Sequence, residues 1–439
     1  MLALVALCLS LASSALGASW IAPGAVWQDT DGNKIDAHGG GVVKRGDTFY
    51  WVGQAASNQS PQMYSSTDLL NWKNLGSQAS SVTGMWRPKI AKPNGSFWLY
   101  GQQDRYVLSL KSAQFLGGYS QSAKVHLPPN DYSYSDTGMF YDESSGKKTW
   151  YLLTSADHNV VQINRLNADG AVGDQVSNLI AGAYEAPGIV KADNVYFLIV
   201  SGKTGWRSNP NKVFSSSSIN GPWTGGSDIA PAAENTYGSQ NTFELTIKGS
   251  QATTYIYMGD AWDSTGGASS NYVWLPMNIN TGAKTIQLQY HAMWKVDVNT
   301  GVVSYPATKK RYEAEDADLS GRSVVKGCDH CLSKRSVHQG YSSEVTFRNV
   351  TGTGSKQWLS FHYRVSNPEA GEAHILVNDE PAINISSLNS RAGYHNSIPV
   401  QLTLKPGDVN TITFGSTGKE DFEVSVDGIE LFEQDDEEL

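Results

Sequence analysis

A run of aromatic and aliphatic residues bounded by Gly, Asn, Asp or Ser recurs five times along the chain: GDTFYWVGQ from Gly46, GSFWLYGQ from Gly95, KKTWYLLTS from Lys147, DNVYFLIVSG from Asp193 and ATTYIYMGD from Ala252. Each run is short, and alternates or is apolar throughout, as a half-buried or doubly buried strand does. The runs return every ~45 to 60 residues, the period of a propeller blade and too long for most solenoid units. Each is read as the inner strand of its blade. Between them lie turn-rich stretches with further short strands, two of which, MYSSTDLLNW and VFSSSSINGPW, share a strand, a polar turn and a closing Trp, at Trp72 and Trp223. The stretch from residue 18 to 306 divides into five units of about 58 residues, enough for four strands with loops.

The pattern changes at Tyr305-Pro306-Ala307-Thr308. Beyond it, SEVTF, WLSFHYRV, HILVN, NTITFG and VSVDGIELF follow one another with turn signals at the short intervals of a β-sandwich. The expected fold is therefore all-β: a five-bladed β-propeller over 18–306, then a β-sandwich (jelly-roll) module over 307–434. Residues 435–439 form an acidic, solvated tail.

Composition narrows the partners. The formal net charge is -9, and 13 Trp and 21 Tyr offer rings that can stack on the C–H faces of sugars. No cluster of Lys and Arg is present, which argues against nucleic acid or an anionic membrane as partner. Residues 1–17, MLALVALCLSLASSALG, are an apolar run ending in small residues, too short for a stable span and read as a secretory signal peptide. A secreted, extracellular, soluble monomer is expected. In that compartment Cys328 and Cys331 are expected to form a local disulfide, since zinc would need further ligands. Sequons at Asn58, Asn94, Asn349 and Asn384 agree with entry into a glycosylation pathway.

Loops entering the first strand of each propeller blade converge on one face, so chemistry is sought at those positions. They hold Asp36-Ala37-His38-Gly39-Gly40-Gly41, Trp86-Arg87-Pro88-Lys89, Asp136-Thr137-Gly138, Glu185-Ala186-Pro187-Gly188 and Gln240-Asn241-Thr242. Two carboxyl groups across such a funnel suffice for glycoside hydrolysis: one protonates the leaving oxygen while a second group activates water or attacks. Glu185 sits between apolar neighbours that would keep it protonated, and Asp136 is placed to orient it or hold its proton by repulsion. The competing reading makes both of them hydrogen-bonded structural acids that close blade turns. His38 either braces its turn or touches substrate. Trp206, Tyr237, Trp262 and Trp274 are candidates to line subsites, against the alternative that they pack the core.

HGGGVV, WRPKI, SDTGMFYD, YEAPGIVK, SGKTGW and GSQNTF, in this order and spacing, resemble the exo-β-1,3-galactanase subfamily of glycoside hydrolase family 43 over residues 20–306. The resemblance implies a secreted exo-β-1,3-galactanase that releases galactose from β-1,3-galactan or arabinogalactan with inversion, without a catalytic cofactor. It implies Glu185 as general acid and Asp136 as modulator of its pKa. Gln240 would orient or, as the imidic tautomer, deprotonate the attacking water. Asp36 is the alternative base. Two positions depart from the subfamily: Gln54 and Trp86 stand where acids that bond hydroxyls of the terminal sugar are usual. The alternatives are a family 43 arabinofuranosidase or xylosidase, or a non-catalytic carbohydrate-binding protein.

RYEAEDADLSG and VSVDGIELF bracket a region that resembles carbohydrate-binding module family 35. That resemblance implies a structural Ca²⁺ held by Glu313, Glu315 and Asp427, hard oxygen donors from the first and last strands; otherwise these are surface acids on edge strands. Tyr341 and Asp421 are the candidates for sugar contact in this module.

Overall fold

The computed structural model describes residues 20–433 apart from Asn94, Ser145, Ser264, Ser269, His330 and segments 366–372, 386–394 and 417–421. The apolar run at 1–17, the acidic tail, Asn94 and Asp421 thus lie outside the described residues. Among those described, no helix is long and apolar enough to cross a membrane.

From His38 to Leu288 the chain builds five consecutive four-stranded antiparallel meanders, each from one unbroken stretch of sequence. The first strands are His38–Arg45, Trp86–Ala91, Tyr134–Asp142, Tyr184–Ala192 and Gln240–Lys248. Each packs against the first strand of the next sheet, and the fifth against the first, so the five blades close a ring around these inner strands.

The recurrent aromatic runs occupy the second strands, not the inner ones: Thr48–Gln54, Phe97–Gln103, Thr149–Ala156, Val195–Gly202 and Thr253–Ala261. The expectation that they line the axis is corrected here, for a steric reason. Second strands have room for Trp, Tyr and Phe packed between neighbouring blades. Inner strands crowd together at the axis and carry glycine at their closest approaches. A Cβ on Gly138 would lie 2.0 Å from the carbonyl oxygen of Pro187 in the next blade. On Gly188 it would lie 2.1 Å from the carboxylate of Glu244. Neither approach is possible with a side chain.

Among the described residues every blade is completed by its own sequence, and no exchanged strand seals the ring. The seam between blades five and one is closed by a hydrophobic cluster that includes Trp51, Tyr64 and Trp72 from blade one and Ile256, Met258, Tyr272 and Trp274 from blade five. Trp51 is 1% exposed, with ring centroids 4.7 Å from Tyr272 and 4.8 Å from Trp274. Trp274, a candidate for lining a subsite, is therefore a core residue.

After a short hairpin of Lys295–Val296 with Val303–Ser304, the chain forms two more antiparallel sheets, of six and five strands. Thr308–Glu313 and Val424–Phe432, the first and last strands of this region, pair directly. Residues of both sheets, among them Leu359, Phe361, Ile412, Phe414 and Ile429, share one buried cluster. Cys328 and Cys331 are joined by a disulfide. A small cluster of Trp20, Ala22, Ala25, Met293 and Phe432 connects the chain's beginning to this region.

Trp51→Ala removes a fully buried indole at the seam and is expected to cost about 3–5 kcal/mol of stability. Thermal and denaturant unfolding would check this. A loss under about 1 kcal/mol, the size of an ordinary surface change, would show that the seam is held elsewhere.

Candidate active site

All five inner strands carry a register shift near their start, between His38 and Gly41, Trp86 and Lys89, Tyr134 and Thr137, Glu185 and Gly188, and Asn241 and Phe243. Such bulges set two residues opposite one and re-aim their side chains. Gly39, Arg87 and Ala186 take left-handed φ values of 59°, 50° and 53° there. For Arg87 and Ala186, which carry a Cβ, that conformation costs roughly 1–3 kcal/mol. The strain is met by bonds across the axis. Ala186 gives its carbonyl to Asn241 Nδ2 at 3.1 Å, and the main-chain N–H of Arg87 donates to Gln54 Oε1 at 2.6 Å.

The Arg87 side chain is the centre of the constellation. It is 3% exposed, and its guanidinium reaches two other blades. Nε pairs with Asp136 Oδ1 at 3.0 Å, Nη1 donates to the Asn241 carbonyl at 3.0 Å and Nη2 donates to Gln240 Oε1. Gln240 Oε1 also accepts from Trp262 Nε1 at 2.9 Å. Arg and Trp are donors only, so the orientation of this amide is fixed by chemistry. Its nitrogen consequently donates to Glu185 Oε1 at 3.0 Å and to Ser201 Oγ at 2.9 Å.

Glu185, half-buried at the head of blade four, has its pKa raised from the usual carboxylate range to about 7. Desolvation is the main cause and repulsion by Asp136 the second; Arg87, the Gln240 bond and Lys203 pull the other way. With Oε1 accepting from Gln240, the proton of the neutral acid belongs on Oε2. That leaves an O–H free to face a ligand. Glu185, Asp136 and Gln240, named from sequence, are thus brought together around Arg87. Gln240 has both N–H groups and both lone pairs engaged, so as placed it has no acceptor for a proton from water.

On the blade-one side, His38 is 1% exposed and stacks on Tyr272, centroids 4.9 Å apart. Its Nδ1 lies 3.4 Å from Asp260 Oδ1, and its Nε2 lies 3.7 Å from Asp36 Oδ1. Asp36 Oδ1 accepts the main-chain N–H of Ala56 at 2.8 Å, a loop-closing role. Gln54 is buried and supports the Arg87 main chain through the bond described above.

Trp86 remains partly exposed, and its ring lies 5.7 Å from that of Trp206; Trp206 in turn sits 5.0 Å from Trp262, edge to face. An aromatic wall therefore runs from the rim to the indole bonded to Gln240. Tyr237 does not join it. Its hydroxyl donates to the Leu288 carbonyl at 3.1 Å and its ring packs against the core of blades four and five.

The residues that sequence reasoning passed over are Arg87, Ser201 and Asp260. A signal for the last two exists in the antiparallel hairpins. In four of the five blades a residue at the end of the aromatic run lies opposite a site residue at the head of the inner strand: His38 faces Gln54, Trp86 faces Gln102, Glu185 faces Ser201 and Gln240 faces Asp260. Arg87 stands in a motif that sequence does single out, but its bulge is not legible there.

In the C-terminal region, Arg311 donates to Glu313 Oε1 at 2.8 Å and Asp427 Oδ2 at 2.6 Å. Glu313 Oε2, Glu315 Oε2 and Asp427 Oδ1 are buried and have no hydrogen-bond partner. As they stand, no group of three or more His, Cys, Asp or Glu side chains among the described residues is gathered to hold a metal ion. Tyr341 is half-buried under the Arg322 guanidinium, 4.3 Å from its ring centroid. Asn58 and Asn349 are exposed.

The model of glycosyl hydrolases family 43 matches residues 20–260. No curated protein sequence matches the chain. Among solved structures, an exo-β-1,3-galactanase from Phanerochaete chrysosporium, a Glu-to-Gln variant with β-1,3-galactotriose, is 32% identical over 94% of this chain and 99% of its own, with a TM-score of 0.83. The same enzyme with galactose gives 32% identity, 94% and 100% coverage and a TM-score of 0.82. An exo-β-1,3-galactanase from Clostridium thermocellum shares the fold at 24% identity, covering 93% of this chain and 99% of its own, with a TM-score of 0.60. The chain belongs to glycosyl hydrolase family 43 and is a glycoside hydrolase.

Proposed function

We propose that the protein is a secreted exo-β-1,3-galactanase that removes terminal galactose from β-1,3-galactan or arabinogalactan by a single inverting displacement. The observation that carries this reading is Glu185, kept protonated near neutral pH between Asp136 and the Gln240 amide. The galactan substrate is supported by the 32% identical enzyme solved with β-1,3-galactotriose. In this account the Glu185 Oε2 proton passes to the glycosidic oxygen as that bond breaks. Asp136 keeps the acid's pKa high, while Arg87 limits the repulsion. Gln240 positions the acid; to orient the attacking water it exchanges one of its present bonds for that water, whose oxygen bonds the anomeric carbon while its proton is released to solvent. Secretion is supported by the apolar run at 1–17, the disulfide and the exposed sequons at Asn58 and Asn349.

A second reading, a family 43 hydrolase of other specificity, is favoured by Trp86. Its indole beside Trp206 offers a stacking face and no acceptor for a sugar hydroxyl.

Glu185→Gln keeps the shape and removes the acid. It is expected to lower galactose release from linear β-1,3-galactan by on the order of 10²–10⁴-fold. In the wild type the galactose first released should carry the α configuration by NMR. Turnover only of aryl arabinofuranoside or xyloside would favour the second reading, and binding without turnover a non-catalytic role.

Glu185 must be protonated to act, so kcat/KM is expected to fall as pH rises through about 7. A pH–rate profile flat from 5 to about 9 would remove Glu185 from the acid's role.

The C-terminal region we propose to be a β-sandwich of carbohydrate-binding module family 35 that holds the catalytic domain near polymeric substrate. Tyr341 and Asp421 are proposed to meet the sugar. Three buried carboxylate oxygens without partners, on Glu313, Glu315 and Asp427, support a structural Ca²⁺, whose charge would compensate them. Chelation with EGTA should then lower the melting temperature, and added Ca²⁺ restore it. An unchanged melt would leave Arg311 as the staple instead.

A further inference from the structure

Lys89, two residues beyond Arg87 on the inner strand of blade two, is 1% exposed. Its Nζ donates to the Gly39 carbonyl at 2.5 Å and to the Arg87 carbonyl at 3.4 Å. Its hydrogen bonds thus go to main-chain carbonyls instead of to a carboxylate. The charged groups around it are Arg87 of its own blade, Asp136 of blade three, and Asp260 and Glu244 of blade five. Burial, with Arg87 adding repulsion, lowers its pKa to about 7. Burying an ammonium on these terms is costly, and packing alone would be served better by Met or Leu.

Both carbonyls belong to left-handed bulge residues, φ 59° at Gly39 and 50° at Arg87. The Arg87 carbonyl accepts a further bond, from Thr137 Oγ1 of blade three at 2.7 Å. The main chain of Arg87 is therefore pinned by Gln54, Lys89 and Thr137, from three blades, while its guanidinium reaches Asp136 and Gln240. A shift of that main chain moves every bond the guanidinium makes.

We propose that Lys89 is a positioning residue: its ammonium ties the bulges of blades one and two together from beneath, and through Arg87 sets how strongly Glu185 holds its proton. The inference rests on Glu185 being the general acid. When Lys89 is lost, Arg87 drifts from Asp136, the Asp136 carboxylate is less neutralised, and its repulsion of the Glu185 carboxylate grows. The Glu185 pKa then rises further. Lys203, whose Nζ bonds the Ala156 carbonyl at 2.5 Å, continues to oppose that rise.

Lys89→Met, close in shape and uncharged, tests this in the full-length protein with β-1,3-galactobiose. Thermal melting establishes folding, and kcat, KM and the pH profile are then compared with wild type. The expected result is a kcat lower by on the order of 10²-fold, with KM little changed and the alkaline limb of kcat/KM moved to higher pH. An unmoved alkaline limb in the folded variant overturns the proposal, whatever the rate, because a merely structural role would leave it in place. Should Lys89→Met fail to fold, Thr137→Val removes the other side-chain donor to the Arg87 carbonyl. An upward shift of the limb supports the proposal and an unmoved limb overturns it. If wild type releases no galactose from the disaccharide, the galactanase reading alone fails, and the same comparison is made on the aryl glycoside that wild type hydrolyses.

Discussion

The guanidinium of Arg87 is the constraint on which the site depends. One cation meets an acid from blade three and an amide and a carbonyl from blade five, while its main chain is bonded by Gln54 of blade one. Only a rigid fork with several donors in a plane can make these contacts together, so lysine would not serve. The electrostatic consequence falls on Glu185. Desolvation and Asp136 drive its pKa upward, and Arg87 keeps the rise from running further. A stronger Arg87–Asp136 pair would return Glu185 toward an ordinary carboxylate. A weaker one would leave an acid too reluctant to give up its proton.

Stability and chemistry are assigned to different strands. The second strands carry the large aromatic side chains, and the seam between blades five and one is held by their packing together with hydrogen bonds from Gly39 N–H to Asp260 and from the Tyr272 hydroxyl to the Ile35 carbonyl. The inner strands give up such packing for glycines at the axis, bulges and buried polar groups. Their strain at Arg87 and Ala186 is offset by hydrogen bonds from neighbouring blades. Each of the five blades thus contributes to one site, and none contains it.

The period of the aromatic runs revealed the number of blades, because hydrophobic burial repeats with the architecture. Which strand those runs become was misread: apolarity alone does not distinguish an axial strand from the one beside it, whereas the glycines of HGGGVV and YEAPGIV do. That Glu185, Asp136 and Gln240 come together was legible because each lies at the head of an inner strand. Arg87 was not, since its role comes from a positive φ that no residue type announces, and Asp260 was hidden at the end of an aromatic run. Tyr237 and Trp274 resemble subsite aromatics in sequence, but the direction of a ring depends on the register of its strand.

The central claim is that the surroundings of Glu185 keep it a neutral proton donor near pH 7. Carboxyl ¹³C NMR on protein labelled at glutamate, with the Glu185 signal assigned by its loss in Glu185→Gln, measures this directly. Titration near pH 7 is expected. A midpoint near 4.5, the ordinary value for a glutamate carboxyl, would contradict it.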